Sequence, residues 1–196
     1  MREQVLAWLA KNVPSNRIEH ILRVEQMSVS LALLHNLNCE KAAASAIMHD
    51  LAKYFPGKRL LQMARTSGIE VDEVLESNPH LLHADVGAII ARDTFGVTDP
   101  EILQAIANHT LGRPAMSRLC CVVFLADSLE PGRGDTDELQ ILRSEASTSL
   151  EKAIWLTCNH TINHLIERHC VIHPRVITTR NWFLTKSRQS IGAKST

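Results

Sequence analysis

The sequence is poor in aromatic residues, which make up 4% of its 196 residues, and it contains only eight glycines. A core with so few rings must be built mainly from Ala, Leu, Ile and Val, a composition that favours helices over a β-sandwich or barrel. Apolar positions recur mostly at helical spacing, and no segment alternates convincingly like a strand. We therefore predict a single all-α domain over residues 1–188, followed by a disordered tail at 189–196.

Paired cysteines are also missing. The five cysteines are odd in number and include no C-x-x-C spacing, and two of them, Cys120 and Cys121, are neighbours in an apolar run. This pattern argues against a disulfide framework and against a structural zinc site made of thiolates. It predicts a protein of the reducing cytoplasm.

Net charge and long apolar runs are absent as well. Lys and Arg together total 21, as do Asp and Glu, so no overall field attracts nucleic acid or an anionic membrane. No apolar run reaches the ~18 residues that a membrane span requires. Glycine-rich phosphate loops and the nucleophile elbow of serine hydrolases do not occur, which excludes both classes. A phosphorylated ligand would need local cations or metal ions.

Capping residues and prolines divide the chain into a series of helices. Ser15, Asn38 and Asp99 are the predicted N-caps of three of them, and Ser117 starts another, RLCCVVFLADSLE, whose apolar character all round predicts a central buried helix. Residues 174–188 are compatible with a last helix or an extended arm. Besides the helix that Ser117 starts, helices are predicted at about 2–12, 15–35, 39–55, 57–67, 82–94, 100–109, 136–145 and 148–169, with a short piece from Asp72.

Histidine is what the sequence has in abundance, with ten residues. His49 and Asp50 are adjacent near the end of the Ala-rich predicted helix 39–55, and Lys53 follows on the same rim of that helix. An imidazole beside a carboxylate makes a good bidentate platform for a metal ion. The lysine could neutralise charge that develops on a phosphoryl oxygen.

Three more histidines and one more aspartate occupy similar positions. Apolar helix stripes carry His20, His83 and His109, and Asp127 lies near the C-terminal end of the most apolar helix. Burial and the helix dipole both disfavour a carboxylate there, so a metal ion, or a salt bridge to Arg133 or Arg23, should compensate its charge. Each residue alone is better explained by packing, but together they predict a shared site. Imidazole with carboxylate suits Fe, Mn, Zn or Co.

The order of these residues resembles the H…HD…H…H…D signature of dinuclear HD-domain phosphohydrolases. More narrowly, the sequence is similar to the YqeK-type family, hydrolases that cleave diadenosine tetraphosphate symmetrically. The matching segments run in the expected order over residues 17–133, although Ser128 stands where the family often has an aromatic residue. They are RIEHILRV (17–24), AIMHDLAK (46–53), HADVGA (83–88), AIANHTLG (105–112) and FLADSLEPGR (124–133).

The resemblance implies an HD-domain helical bundle with two metal ions, in which Asp50 bridges the pair. One ion would be held by His20, His49, Asp50 and Asp127, and the second by Asp50, His83 and His109. Iron is the first metal that such a site suggests, and Mn, Co, Zn or Mg are alternatives. The implied reaction is hydrolysis of diadenosine tetraphosphate to two ADP by a metal-activated water.

Several further residues are candidates for catalysis beside Asp50. Lys53, Arg23 and Arg133 are predicted phosphate clamps, because cations neutralise phosphoryl oxygens and Arg binds them in bidentate fashion. Thr110 could donate to a phosphate or to a metal-bound water, or else bond back to its own helix carbonyl. Glu130 could orient Arg133 or transfer a proton. For Arg23 and Glu130, an ordinary salt bridge is an equal alternative.

Other functions stay open at this point. The alternatives are an HD-type nucleotidase or triphosphohydrolase on other nucleotides, a non-catalytic nucleotide or metal sensor, and a dinuclear-iron oxygenase. The expected partner is a nucleotide substrate without nucleic acid or membrane, and apolar late helices leave a homodimer open. His35 is assigned to a helix end and His80 to a loop, with a substrate contact as the alternative for His80. A solvated or partner-facing stripe is preferred to a metal site for His160, His164, His169 and His173. Packing is preferred to dimer contacts or base stacking for Trp155 and Trp182-Phe183.

Overall fold

The computed structural model describes residues 1–192 and confirms the all-α fold, with no strand in that range. The last helix continues to Gly192, and residues 193–196 of the predicted tail lie outside the described part. The helices are α1 (Arg2–Asn12), α2 (Ser15–Leu34), α3 (Cys39–Met48), α4 (Gly57–Thr66), α5 (Glu73–Ser77), α6 (His83–Phe95), α7 (Pro100–Asn108), α8 (Arg118–Leu129), α9 (Asp137–Thr148), α10 (Leu150–Glu167) and α11 (Pro174–Gly192).

Helix α8 is the centre of the bundle. Its residues from Leu119 to Ala126 are buried without a break, as its apolar sequence predicts. Helices α2, α3, α7, α9 and α10 all pack against it. A helix that is apolar on every side has to be surrounded in this way to remove its surface from water. Asp127 near its end is therefore carried into the middle of the molecule.

The helix starts follow the predicted caps with one exception. Asn38 accepts a hydrogen bond from the amide of Lys41, and Asp99 accepts one from the amide of Glu101, both at 2.9 Å. Helix α2 begins at Ser15, but the N-cap position belongs to Pro14 and no side chain caps that end. The prediction that Ser15 is a cap was wrong because Pro14 already provides the extended backbone that precedes the first turn.

The predicted helix 39–55 is interrupted where the His-Asp pair lies. Helix α3 ends at Met48, and tighter backbone bonds follow, from His49 N to Ala46 O (3.3 Å) and from Lys53 N to Asp50 O (3.0 Å). The His49 ring takes up the Ala46 carbonyl at 2.6 Å, which a continued α-helix would offer to the amide of Asp50. His49 and Asp50 consequently lie on a compact turn, which we call the HD turn (residues 49–54).

Helix α6 approaches this turn closely because of Gly87. A Cβ atom at this position would lie 3.2 Å from the carbonyl oxygen of His49, closer than side chains normally approach backbone. The glycine of the HADVGA segment thus allows α6 to pack against the HD turn. This contact brings the first turn of α6, where His83 lies, towards Asp50.

Helices α10 and α11 form an antiparallel pair at the end of the chain, and α11 is a helix rather than an extended arm. Phe183 is 2% exposed, and Trp155 and Trp182 pack against the core, which supports the packing interpretation of these rings. Throughout residues 1–192, every helix is too short or too polar to cross a membrane.

Candidate metal centre

All six predicted ligand residues meet in one cluster, with the buried Asp50 at its centre. The Oδ2 atom of Asp50 is 3.3 Å from Nε2 of His49 and 3.9 Å from Nε2 of His20. Its Oδ1 atom is 3.4 Å from Nε2 of His83 and 3.9 Å from Nε2 of His109. The two oxygens of one carboxylate therefore face two different pairs of histidines, as a bridging ligand would.

Asp127 completes one side of the cluster. Its Oδ1 atom lies 3.1 Å from Nε2 of His20 and 3.8 Å from Nε2 of His49. Both contacts belong to the pair that faces Oδ2 of Asp50. The ligand atoms form three overlapping groups, each within 4.8 Å: His20, His49 and Asp50; His49, His109 and Asp127; and Asp50, His83 and His109.

Three of the histidines are oriented by backbone carbonyls. Each follows directly after a helical segment (α3, the 3-10 turn Pro79–Leu82, or α7). Its ring donates to the carbonyl three residues earlier, which also accepts the backbone N–H of the same histidine. Because a carbonyl only accepts, Nδ1 carries the proton and Nε2 presents its lone pair to the cluster. The bonds join His49 to Ala46 (2.6 Å), His83 to His80 (2.6 Å) and His109 to Ile106 (2.7 Å).

The fourth histidine, His20, is oriented by Glu130. This carboxylate is 1% exposed and accepts from Nδ1 of His20 at 2.9 Å, from Nε of Arg23 at 2.5 Å and from the amide of Gly132 at 2.6 Å. Glu130 lies on the side of the ring away from the cluster. The suggestion that it orients Arg133 was wrong, because its oxygens are occupied by His20 and Arg23.

Arg23 adopts the salt-bridge alternative. Its guanidinium packs over Gly132, where a Cβ atom would come within 2.5 Å of it. It lines a separate cavity between α2 and α9 rather than the one that opens on Asp127. The structure gives no support to the prediction that Arg23 contacts phosphate.

Two other arginines bind the cluster's carboxylates. Arg133 donates from Nη2 to Oδ1 of Asp127 at 2.6 Å and from Nε to the Asp127 carbonyl at 2.7 Å. Arg17 places Nη1 3.0 Å from Oδ2 of Asp50. The sequence interpretation missed Arg17, although its position one helical turn before His20 on the same stripe was a usable signal.

Lys53 and Thr110 lie beside the other half of the cluster. The Nζ atom of Lys53 is 3.2 Å from Nε2 of His83, and burial lowers the pKa of this lysine. The Thr110 hydroxyl is 3.1 Å from Nε2 of His83 and 3.0 Å from Nε2 of His109. It therefore faces the two rings instead of bonding back to its helix, the alternative considered from sequence.

Unsatisfied polar atoms show that the cluster fits a cation. Nε2 of His20, Nε2 of His49 and Oδ2 of Asp50 are buried, and none of them makes a hydrogen bond to the described residues. Arg17 is near Oδ2 of Asp50, but without hydrogen-bond geometry. Buried lone pairs without partners are costly and rare, and three of them converge here. Together with the donor set of nitrogen and oxygen, they fit a divalent metal ion.

Comparison with known proteins decides the family. Residues 17–132 match the model of the HD domain. The chain belongs to the HD-domain family. This match and the His/Asp cluster together indicate that the HD domain binds divalent metal.

Three relatives resemble this HD-domain protein over nearly its whole length. Proteins named "Bis(5'-nucleosyl)-tetraphosphatase, symmetrical" from Halalkalibacterium halodurans and Bacillus subtilis are 32% and 33% identical to it, over 95% of this chain and 99% of theirs. The crystal structure of a predicted HD superfamily hydrolase involved in NAD metabolism from Clostridium acetobutylicum superimposes with a TM-score of 0.90 at 32% identity. That match covers 95% of this chain and 98% of the other.

A cavity of about 340 Å³ opens from the metal centre of the HD domain to solvent. Among the residues that line it are His109, Asp127, Lys53, Thr110 and Arg133, followed by His160, Thr161 and His164 of α10. Both side chains are accessible to solvent, as expected of a solvated stripe, and the structure adds that this stripe lines the cavity. Their place above the cluster depends on how α10 packs against α8, which spacing along the chain does not show.

Burial keeps two of the rings neutral. Burial and the nearby Lys53 ammonium lower the pKa of His83 to about 4, and burial with the neighbouring His49 lowers the pKa of His109 to about 3. Burial acts in the same direction on His49, but the Asp50 carboxylate outweighs it and raises the pKa of that ring. Neutral imidazole is the form that binds metal.

We expect the HD domain, stripped of metal by a chelator, to lose stability as the pH falls from 6.5 towards 4.5. In this window the unfolded chain protonates His83 and His109 near pH 6.5, whereas the folded chain resists protonation until about pH 4. The unfolded state then binds more protons, so the free energy of unfolding should fall by about 1 kcal/mol or more per pH unit. The pKa of His49 is raised, so its contribution to stability is lost only as the pH rises above 6.5, outside this window.

Urea denaturation with EDTA at several pH values measures this dependence. The variant His83→Gln removes one of the two titrating rings and should give a shallower slope, whatever its absolute stability. An unfolding free energy that stays constant or rises as the pH falls to 4.5 would contradict the neutral state of these rings.

Proposed function

We propose that this protein is a metal-dependent hydrolase that cleaves diadenosine tetraphosphate symmetrically into two molecules of ADP. The observation that carries the proposal is the Asp50-centred cluster in an HD domain that resembles two symmetrical tetraphosphatases over 95% of its length. The substrate is a chain of four phosphates, and the cluster with its nearby cations suits a ligand of that chemistry.

The two halves of the cluster are the proposed sites of two divalent ions. One ion would be held by His20, His49, Asp50 and Asp127, the other by Asp50, His83 and His109. Bound there, divalent metal would supply Lewis acidity towards phosphoryl oxygens and a water acidified to near neutral pH. Iron is the first candidate and Mn, Co, Zn and Mg are alternatives, as the family resemblance implies.

The cations around the cavity would hold the phosphates. Lys53 and Arg133 both line it, and each lies against one side of the cluster, at His83 and Asp127 respectively. The cluster's own carboxylates repel phosphoryl oxygens, so the positive charges of Lys53 and Arg133 would be needed to neutralise those oxygens. Thr110 offers a hydroxyl between these groups and His109. Glu130 acts at a distance, since its bond to Nδ1 of His20 fixes the ring that Asp127 contacts.

The proposal also concerns the partner, the cellular location and the assembly of the protein. The expected partner is a dinucleotide substrate. All five cysteines are free thiols, which agrees with a place in the reducing cytoplasm. The boundary of the single domain and a homodimer stay predictions.

The product pattern tests the proposal. Protein reconstituted with Mn²⁺ or Fe²⁺ is incubated with diadenosine tetraphosphate, and the nucleotides are separated by anion-exchange chromatography. We expect ADP alone, two molecules for each substrate consumed. In ¹⁸O-labelled water, one of the two ADP molecules should gain a single label on its terminal phosphate.

The same protein treated with EDTA serves as the control and should yield no ADP until metal is restored. Equal amounts of AMP and ATP would show asymmetric cleavage and would contradict the proposal. So would faster release of phosphate or triphosphate from nucleoside mono- or triphosphates. Tight nucleotide binding without product, with every divalent metal tried, would make the protein a sensor.

A further inference from the structure

The cavity above the metal centre has two chemically different parts. Its charged groups, Lys53, Asp127 and Arg133, belong to the HD turn and to the end of α8 and the segment after it. Neutral groups supply the remainder, among them Phe124 and Leu139 and a surface that we call the α10 wall, formed by His160, Thr161 and His164. A ligand that filled the cavity would meet cations in one part and apolar and hydrogen-bonding groups in the other.

The α10 wall is a continuous face of one helix. Its residues are spaced at i, i+1 and i+4, which places them together on the side of α10 that lines the cavity. Among the described residues, the Thr161 hydroxyl and the His164 ring have no hydrogen-bond partner. They can therefore bind a ligand without breaking a bond within the protein.

Glu138 holds the ring of His160, the third residue of the α10 wall. Its Nδ1 atom lies 3.0 Å from Oε2 of Glu138 on α9, and the ring is about one-third exposed. Because the Glu138 carboxylate stands beside the ring, the His160–Glu138 pair carries no net positive charge. This part of the cavity therefore adds no cation for a phosphate, and it offers a ring that can make hydrogen bonds with a nucleoside.

We infer that the α10 wall is a nucleoside-binding surface, which holds the base and ribose of one half of the substrate while the metal centre and its cations hold the phosphates. The inference rests on the proposed function. Binding sites of this kind combine apolar surface with a few hydrogen-bonding groups that fix the orientation of the ligand. The wall then determines affinity for the nucleoside and leaves recognition of the phosphates unchanged.

Binding of two probes to Mn²⁺-loaded protein, measured by calorimetry, separates nucleoside recognition from phosphate recognition. The probes are ADP and inorganic pyrophosphate, which has the phosphates without the nucleoside. The test variants are Thr161→Val and the double variant His160→Ala/His164→Ala. The control is Asn163→Ala, an exposed position of the same helix. Circular dichroism and metal analysis verify that each variant keeps its fold and its ions.

We expect the Kd of ADP to rise about threefold in Thr161→Val and about tenfold or more in the double variant, as lost hydrogen bonds would give. The Kd of pyrophosphate should stay within about twofold, and Asn163→Ala should match the wild type for both probes. Equal weakening of both probes would make the wall a phosphate site and overturn the inference. Unchanged ADP binding, or no measurable ADP binding by the wild type, would overturn it as well. These measurements need no turnover, so failure of the proposed cleavage reaction is detected separately by its products.

Discussion

Replacing Asp50 by Asn will reduce turnover of diadenosine tetraphosphate by about 10³-fold or more and will lower the metal content of the purified protein. Among residues 1–192, Asp50 alone has two oxygens that face both pairs of histidines. Asn keeps the shape of the side chain but loses the negative charge and one oxygen. Loss of the bridging ligand removes several kcal/mol of transition-state stabilisation, which corresponds to that change in rate.

Turnover, metal analysis by mass spectrometry and circular dichroism should be measured on the same preparation. Asp93→Asn is the matched control, because Asp93 is an exposed aspartate on α6 that pairs only with its neighbour Arg92. It should keep full activity and metal. Wild-type turnover in Asp50→Asn would remove the residue from the mechanism. Lost turnover with full metal content would assign Asp50 to the substrate instead of the ions.

The sequence predicts the members of the cluster because the residue types and their order along the chain can both be read directly. Imidazoles and carboxylates on the buried faces of several helices have few explanations other than a shared site. The structure places Asp127 within 3.8 Å of His49, although 78 positions of numbering separate them. That these residues bind metal stays a prediction, and the Asp50 experiment tests it.

Local competition for hydrogen bonds explains the errors nearest the site. Helical periodicity extends through the HD turn, so the sequence predicts one helix where His49 instead takes the Ala46 carbonyl and ends α3. The partner of Glu130 was misjudged in the same way. Arg133 is close to Glu130 in sequence, yet Glu130 binds Arg23 and His20 from a distant helix.

Tertiary packing explains what the sequence could not show. His160 and His164 are predicted correctly to lie on α10, but nothing local indicates which neighbour that helix faces. The packing of α10 against α8 and α9 places them in the cavity of the metal centre. Arg17 reaches Asp50 from α2 for the same reason, because the contact depends on how α2 and α3 pack.

Replacing Lys53 by Met will reduce kcat/KM for diadenosine tetraphosphate by about 100-fold while the metal content stays unchanged. Removing one group that stabilises charge in the transition state typically has an effect of this size. Lys53 lies against His83 and lines the cavity, but an ammonium cannot be a metal ligand. Met retains most of the apolar stem, so packing around the HD turn should survive.

The variant also separates a phosphate contact from a structural role. Burial lowers the pKa of Lys53, which means that its charge is held in an unfavourable environment. Protein without this charge should be as stable as the wild type or more stable, so a loss of activity cannot be explained by unfolding. Lys58→Met, an exposed lysine on α4, is the matched control and should behave as wild type.

Weaker binding of pyrophosphate in Lys53→Met, with metal retained, would locate the effect at the phosphates. Unchanged kcat/KM would exclude Lys53 from catalysis, and metal loss in proportion to activity would show that it supports the ligands instead. The contrast with Asp50→Asn is then informative, because one variant loses ions and the other keeps them. Only a site in which carboxylate and imidazole hold the cations, and a separate buried ammonium meets the substrate, gives both results.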